Sequence, residues 1–189
     1  MSAKLTYTVL CSLDGFIEDA GGDFSWAMPD AELHAFVNGL ERETATMLLG
    51  RRMYETLVVW ETMATADEPA EIGEYAAIWR RCEKVVYSRT LEAVASERTR
   101  IEREFDPEAV RAMKAAAGRG LSIGGPEIAA DAFAGNLIDA VQLVVFPVVL
   151  GGGKPALPRG SRLDLELRDE RRFGSGVIYL SYAVTPTGR

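Results

Sequence analysis

The sequence predicts an α/β domain with a mixed, mainly parallel sheet of about eight strands and helices on its faces. Three observations indicate this class. Short apolar runs alternate with segments of helical periodicity over the first two thirds of the chain. A continuously apolar run then begins at Ala140, as expected of a central strand covered on both faces. Two more strand-like runs follow it with no helix between them, which favours an antiparallel edge.

The chain opens with a strand, a long loop and a helix. Residues 4–11 form a β-branched run that ends before the turn signal Asp14-Gly15. The loop over residues 12–29 is long for a compact domain, and such loops are often functional. Apolar side chains at helical spacing predict a helix from about Asp30 to Leu40.

The remaining elements follow from the same patterns. Further strands are predicted at residues 46–49, 84–87, 98–102, 121–123 and 176–184, with a half-exposed run at 163–167, and further helices at 71–81, 107–117 and 126–134. The Ala-rich stretch 62–70 is predicted to be a surface excursion. The chain has 189 residues and shows no internal repeat or linker, so residues 1–189 are predicted to be one domain.

Composition narrows the function classes. A net charge of −7 argues against a broad nucleic-acid surface, although a local basic pocket remains compatible with it. The two cysteines, Cys11 and Cys82, have neither disulfide-framework nor zinc spacing, which fits a reducing compartment. The only histidine, His34, is predicted to lie at the surface, and no metal site is predicted. The amino terminus lacks a signal pattern, and Val141–Leu150 is too short to span a bilayer, so a cytoplasmic protein without a membrane or nucleic-acid partner is expected.

Three segments place glycine or arginine directly after a predicted strand, where open α/β sheets usually bind ligands. Gly50-Arg51-Arg52 combines a flexible backbone with guanidinium groups that suit phosphate, or it is a solvated basic pair that opens a helix. Ser88-Arg89 suits a ribose 2′-phosphate, or it is a turn with a surface arginine. Gly124-Gly125-Pro126-Glu127-Ile128 exposes backbone N–H groups at a helix start, or it is a plain strand–helix connection.

The order of these segments resembles dihydrofolate reductase, and more closely the reductase domain of the bifunctional riboflavin-pathway deaminase-reductase and its stand-alone relatives. Ser12-Leu13-Asp14-Gly15-Phe16-Ile17 is similar to that family's opening loop. The run Phe146-Pro147-Val148-Val149-Leu150-Gly151-Gly152-Gly153-Lys154-Pro155 resembles its most specific motif. The likeness covers nearly the whole chain and implies a dihydrofolate-reductase-like three-layer fold, NADPH as cofactor and a homodimer.

The resemblance also implies roles for particular residues. The implied cofactor contacts come from Leu10, Cys11, Ile17, Gly50, Arg51, Arg52, Met53, Ser88, Arg89, Gly124, Gly125, Pro126, Glu127 and Ile128. The Gly124–Gly125 pair, joined by a cis peptide, would approach the pyrophosphate, and Leu10, Cys11 and Ile17 would line the nicotinamide site. Arg52 and Arg89 are both candidates for contact with the 2′-phosphate.

Four residues are candidates on the substrate side. Dihydrofolate reductases carry a helix carboxylate five positions beyond the loop tryptophan, which here is Ala31, with Asp30 one step earlier. Asp30 is a candidate proton source or substrate ligand, or it only complements the helix dipole. Asp14 is a candidate near the substrate, or it serves the Asp-Gly turn. Trp26 would anchor a lid or stack on a ligand, and Lys154 would reach a substrate phosphate or lie at the surface.

The resemblance implies reduction of a small heterocyclic substrate, as in 5-amino-6-(5-phosphoribosylamino)uracil reductase, where hydride opens a ribose to ribitol. The misplaced helix carboxylate disfavours a dihydrofolate or pterin reductase. A third possibility is a non-catalytic nucleotide-binding module with the same fold, because the residues supply no unambiguous proton donor.

Overall fold

A computed structural model describes residues 2–160 and 162–185. The strands in this part of the chain are β1 (Leu5–Ser12), β2 (Phe16–Glu18), β3 (Thr44–Gly50), β4 (Glu83–Tyr87), β5 (Thr99–Glu102), β6 (Gly120–Gly124), β7 (Ala140–Phe146), β8 (Lys154–Pro155), β9 (Asp164–Arg172) and β10 (Ile178–Thr185). The helices are α1 (Ala31–Glu41), α2 (Arg51–Leu57), α3 (Val59–Thr62), α4 (Ala70–Arg81), α5 (Pro107–Ala116) and α6 (Pro126–Ala134). A 3-10 turn covers Ser25–Ala27.

Eight strands form one sheet in the order β5-β4-β3-β6-β1-β7-β10-β9. Pairing is parallel from β5 to β7, and β10 is antiparallel to both β7 and β9. The predicted mixed, mainly parallel sheet flanked by helices is therefore confirmed. Because β4, β3 and β6 are parallel neighbours, their carboxyl ends lie side by side along one edge of the sheet.

One face of the sheet carries a continuous core. Leu5, Tyr7, Val9 and Cys11 alternate along β1 and all point to this face, as the two-residue period of a strand requires. They pack with Val110 of α5 and with the buried face of α6. Each fully buried leucine or valine contributes about 1.5–3 kcal/mol to the stability of the fold.

The opposite face carries two separate apolar clusters. One joins α1 to β7 and β10 and includes Leu33, Val144 and Tyr179. The other joins α2 and α4 to β3 and β4 and includes Tyr54 and Trp79. The strip between the clusters lies over β1 and β6, where the side chains on this face include Thr6, Thr8 and Ser122.

The structure adds elements that the sequence did not predict. The loop over residues 12–29 contains β2 and the 3-10 turn, and β2 pairs with the two-residue strand β8. The chain after Gly50 continues directly into α2 and α3, so Arg51 and Arg52 do open a helix. No helix in the described residues is both long and apolar enough to cross a membrane.

Candidate functional site

The three predicted glycine and arginine segments meet at the carboxyl edge of the sheet. Gly50 pairs with Tyr87, and Leu49 pairs with Gly124, so the segments leave β3, β4 and β6 at the same height. The backbones then come into close contact: a Cβ placed on Gly125 would lie 3.5 Å from the amide nitrogen of Gly50. At Gly50 and Gly125, this edge of the sheet therefore exposes main-chain atoms and no side chains.

Gly125 makes this close approach possible. Its φ of +105° lies in a region that favours glycine, and it immediately precedes α6 at Pro126. The first amides of α6 thus border the space between Gly50 and the start of α6, which we call the gap. There the helix dipole favours an anion. The expected cis peptide is absent, because the Gly124–Gly125 bond is trans.

Arginine and serine side chains surround this edge. Nη1 of Arg51 donates to the Thr90 hydroxyl at 2.6 Å, which links α2 to the loop after β4. The buried Ser88 hydroxyl oxygen accepts the Leu91 amide at 2.9 Å and thereby holds that loop in a turn. Arg52 and Arg89 are exposed.

An open cleft of about 630 Å³ lies beside the loop after β4, and its lining includes Tyr87, Ser88, Arg89, Arg103, Phe105 and Ile128. Arg103 donates to the carbonyl oxygens of Ser88 at 3.1 Å and Leu91 at 2.7 Å. The Phe105 ring lies 5.1 Å from that of Tyr87. Arg103 was not among the predicted site residues. Its position is nevertheless similar to theirs: Arg103 directly follows β5, Arg51 directly follows β3, and Arg89 lies two residues after β4.

The residues predicted at the nicotinamide site do not share one face. Cys11 is buried in the core beside α5 and α6, and Ile17 packs against the same core. Leu10 points to the opposite face and packs near α1 and Trp26. Adjacent strand residues point to opposite faces, so the side chains of Leu10 and Cys11 cannot both line one pocket. Burial raises the pKa of the Cys11 thiol to about 11, which keeps it neutral.

Both candidate carboxylates have local partners. Asp14 accepts hydrogen bonds from the Ser12 hydroxyl at 2.7 Å and from the Gly151 amide at 2.7 Å. These contacts hold the pKa of the Asp14 carboxyl below its ordinary value, so it is ionised near neutral pH. Asp30 precedes α1 and caps it by accepting the Leu33 amide at 2.9 Å. Both arrangements favour structural roles over proton donation, and a catalytic role for either stays a prediction.

Trp26 and Lys154 hold loops against the sheet edge. The Trp26 ring packs edge-on against Phe146 with 5.9 Å between centroids, which ties the 3-10 turn to the end of β7. Nζ of Lys154 forms an ion pair of 2.9 Å with Glu127 in the first turn of α6. Lys154 therefore lies beside the predicted pyrophosphate segment.

The strip between the two apolar clusters holds polar groups that sequence reasoning missed. A small cavity of about 50 Å³ is lined by Thr8, Glu41, Met53, Tyr75, Ser122 and Gly124, among others. It extends from the middle of the sheet to the edge where Gly124 meets the Met53 side chain. Only the tertiary fold brings these residues together, because they come from β1, α1, α2, α4 and β6.

His34 of α1 packs against α3 and α4, contrary to the surface position predicted for it. Its ring is half-buried, 6.0 Å from that of Trp60 and 5.9 Å from that of Tyr75. Burial lowers the pKa of His34, and its Nδ1 has no hydrogen-bond partner among the described residues. Periodicity placed His34 beside the apolar face of α1 but could not show that α3 and α4 cover it.

Comparison with known proteins connects this geometry to a family. An uncharacterized protein of Bacillus subtilis, YyaP, is 28% identical over 184 residues, which cover 95% of this chain and 94% of that protein. A putative riboflavin biosynthesis protein from Shewanella superposes with a TM-score of 0.73 at 19% identity, over 98% of this chain and 99% of that one. A pyrimidine reductase-like protein from Corynebacterium diphtheriae gives 0.67 at 15% identity, over 97% and 92%.

A larger relative has the same fold in part of its length. The diaminohydroxyphosphoribosylaminopyrimidine deaminase/5-amino-6-(5-phosphoribosylamino)uracil reductase of Thermotoga maritima superposes with a TM-score of 0.66 at 11% identity. The match covers 97% of this chain but 57% of that protein. The family description "RibD C-terminal domain" matches residues 3–179, which is nearly the whole chain. This chain belongs to the RibD C-terminal domain family and has that family's dihydrofolate-reductase-like fold.

Proposed function

We propose that this chain is an NADPH-dependent reductase whose reaction resembles that of 5-amino-6-(5-phosphoribosylamino)uracil reductase. The observation that carries the proposal is the close approach of Gly125 to Gly50 next to a cleft bordered by Ser88 and Arg89. A gap lined by main-chain amides, with arginine around it, suits a dinucleotide better than an uncharged ligand. Membership of a family with reductase-type members supports the same reaction class.

In this proposal, different residues contact different parts of the cofactor. The amides that open α6, at Glu127 and Ile128, face the pyrophosphate, with Arg51 on the other side of the gap. Arg89 meets the 2′-phosphate, and the Ser88 hydroxyl holds the loop in place. Arg103 helps to fix that loop through two backbone carbonyls.

The remaining predicted contacts complete the proposal. When bound, NADPH supplies a hydride at the nicotinamide ring. Met53 and Leu10 bound the space for that ring, Leu10 from the side facing α1. Lys154, which is paired with Glu127 in the first turn of α6, exchanges that partner for an oxygen of a substrate phosphate.

Calorimetry of NADPH and NADH binding tests the cofactor assignment. We expect micromolar NADPH binding and weaker NADH binding, and Arg89→Ala should weaken NADPH binding by about 10- to 100-fold while changing NADH binding little. Arg51→Ala should weaken both. Arg168→Ala, which removes an exposed arginine of β9, is the matched control and should bind like the wild type. Absence of NADPH binding by the wild type at about 50 μM would remove the basis of the proposal.

Acceptor assays distinguish the reductase classes. We expect a ribosylaminouracil or a related small heterocycle to oxidise NADPH. The loss of absorbance of the reduced nicotinamide measures this reaction. Robust turnover of dihydrofolate, sensitive to antifolates, would instead establish a folate reductase. Tight NADPH binding with no oxidation by either class would favour the non-catalytic module.

We also infer a homodimer in the cytoplasm. Two apolar side chains of the late strands, Leu167 and Ile178, are 48% and 44% exposed, which leaves apolar surface for a second copy to cover. Sedimentation should give a dimer for the wild type and a monomer for Ile178→Glu. Both cysteine thiols are buried and unpaired, in keeping with a reducing compartment. Cell fractionation tests the location.

A further inference from the structure

Glu41 carries a buried carboxyl group that the cofactor site does not use. It is the last residue of α1, and its Oε2 atom is buried with no hydrogen-bond partner among the described residues. The hydroxyls of Thr44 and Ser122 lie near this carboxyl group and oppose the effect of burial on its pKa. A buried acceptor without a donor is unfavourable unless a water, a ligand or its own proton satisfies it.

The surroundings of Glu41 favour the neutral acid. Burial raises the pKa of its carboxyl group. The charge of Arg81 acts against this rise, and its guanidinium donates to the backbone carbonyls of Glu41, Arg42 and Thr44. On α4, burial of the Tyr75 hydroxyl raises its pKa as well, so this side chain is neutral and adds no charge next to Glu41. The thiol of Cys82 is kept neutral in the same way.

The cavity next to Glu41 connects this acid to the sheet edge. Its volume of about 50 Å³ is enough for one or two waters, and Thr8 and Ser122 offer hydroxyl partners for them. The other end of the cavity is lined by Gly124 and Met53. In the proposed function, Met53 bounds the space for the nicotinamide ring, and Gly124 belongs to the segment beside the pyrophosphate.

We propose that Glu41, acting through water in this cavity, supplies the proton that completes reduction of the acceptor. This inference rests on the proposed function. The acceptor carbon gains a hydride from the reduced nicotinamide, which is thereby oxidised, and the electron pair of the C=X bond moves to the heteroatom. The heteroatom takes a proton from the cavity water, the water takes one from Glu41, and Glu41 regains its proton from solvent. Asp14 and Asp30 are less suited, because Asp14 is ionised and Asp30 caps α1.

The Glu41→Gln variant tests the proposal, with Glu43→Gln as the matched control on an exposed side chain nearby. The infrared difference between wild type and Glu41→Gln at neutral pH should contain the carbonyl stretch of a neutral carboxylic acid. That band should shift when NADPH binds, because the cavity reaches Gly124. A missing band, or a band that NADPH leaves unshifted, would overturn the proposal. Glu43→Gln should retain the band.

Kinetics with the acceptor found by the assays above give the second readout. Glu41→Gln should lower the single-turnover rate of reduction by about a hundredfold and change its pH profile, with thermal unfolding and NADPH affinity unchanged. A rate equal to that of the wild type, or a loss of rate matched by loss of NADPH affinity, would contradict proton supply by Glu41. A failure of the proposed function would look different from a failure of the Glu41 proposal. The wild type and both variants would then not bind NADPH, whereas the infrared band of the acid would remain.

Discussion

At the scale of single residues, Asp14 joins two loops that are far apart in sequence. Its carboxylate accepts the amides of Leu150 at 3.1 Å and Gly151 at 2.7 Å, and also the Ser12 hydroxyl. The sequence indicated the Asp-Gly turn but not the partners 136 residues away. The Asp14 side chain thereby fixes the opening loop against the glycine run.

The Asp14→Asn variant should be less stable than the wild type at neutral pH and should lose this difference in acid. Because the folded-state pKa of Asp14 is lowered, its stabilisation is present above the ordinary aspartate pKa and disappears as pH falls through the lowered value. Urea unfolding at a series of pH values measures this difference. A difference that stays constant down to the most acidic pH would contradict the account.

Lys84 is a buried lysine whose ammonium group donates hydrogen bonds to backbone carbonyls at the end of α4. It is 1% exposed, and Nζ donates to the carbonyls of Trp79 at 2.8 Å and Cys82 at 2.9 Å, just where α4 ends. The ammonium also lies 4.9 Å from the Trp79 ring centroid. Burial lowers the pKa of Lys84, which is the cost of this arrangement.

We expect Lys84→Met to destabilise the fold by about 1–3 kcal/mol, because two buried carbonyls lose their donors while the side-chain volume is kept. Lys84→Ala should cost more, since it also leaves a cavity. Chemical unfolding of both variants gives these values. Lys84→Met with the stability of the wild type would show that the carbonyls find other donors.

At the scale of secondary structure, the short β2–β8 pair depends on Gly153. This glycine has φ of +141°, and a Cβ on it would run into the carbonyl oxygen of Glu18. The pair also holds Ala156, whose carbonyl accepts the Tyr7 hydroxyl at 2.7 Å. Gly153 thus lets the glycine run pass close to the opening loop.

Gly153→Ala should destabilise the protein by roughly 1–3 kcal/mol and increase hydrogen exchange in β2. Gly152→Ala is the matched control, because a Cβ there meets nothing within 4 Å. Thermal unfolding and amide exchange measure both effects. Equal stability of the two variants would contradict the close approach at Gly153.

Long, periodic elements were predictable and short, nonlocal ones were not. The bounds of α6, 126–134, were predicted as found, since Pro126 and the apolar spacing mark them locally. The strands β2 and β8 carry only a few residues each and exist through pairing across the chain. The short helix α3 was also missed, because its four residues are too few to show a period.

At the scale of the whole molecule, a ligand at the sheet edge would bridge three segments at once. The segments after β3, β4 and β6 belong to parts of the chain up to about 75 residues apart in sequence, yet they are neighbours in the sheet. Binding to the folded state alone raises the stability of the entire domain.

NADPH at about one hundred times its Kd should therefore stabilise the protein by about 2.7 kcal/mol. The shift is measured by chemical unfolding with and without NADPH. Arg89→Ala should show a smaller shift at the same concentration, and Arg168→Ala should show the shift of the wild type. No shift despite calorimetric binding would mean that NADPH also binds the unfolded chain.

The sequence by itself determined the strand-then-glycine and strand-then-arginine segments, because backbone periodicity and glycine conformation are local properties. These local properties indicate Gly50, Ser88 and Gly125 without any knowledge of the tertiary fold. Only the tertiary structure decided that Glu41 and His34 are covered and that Arg103 borders the cleft. Burial and the pKa of a side chain depend on what packs over it, and that comes from elements distant in the chain.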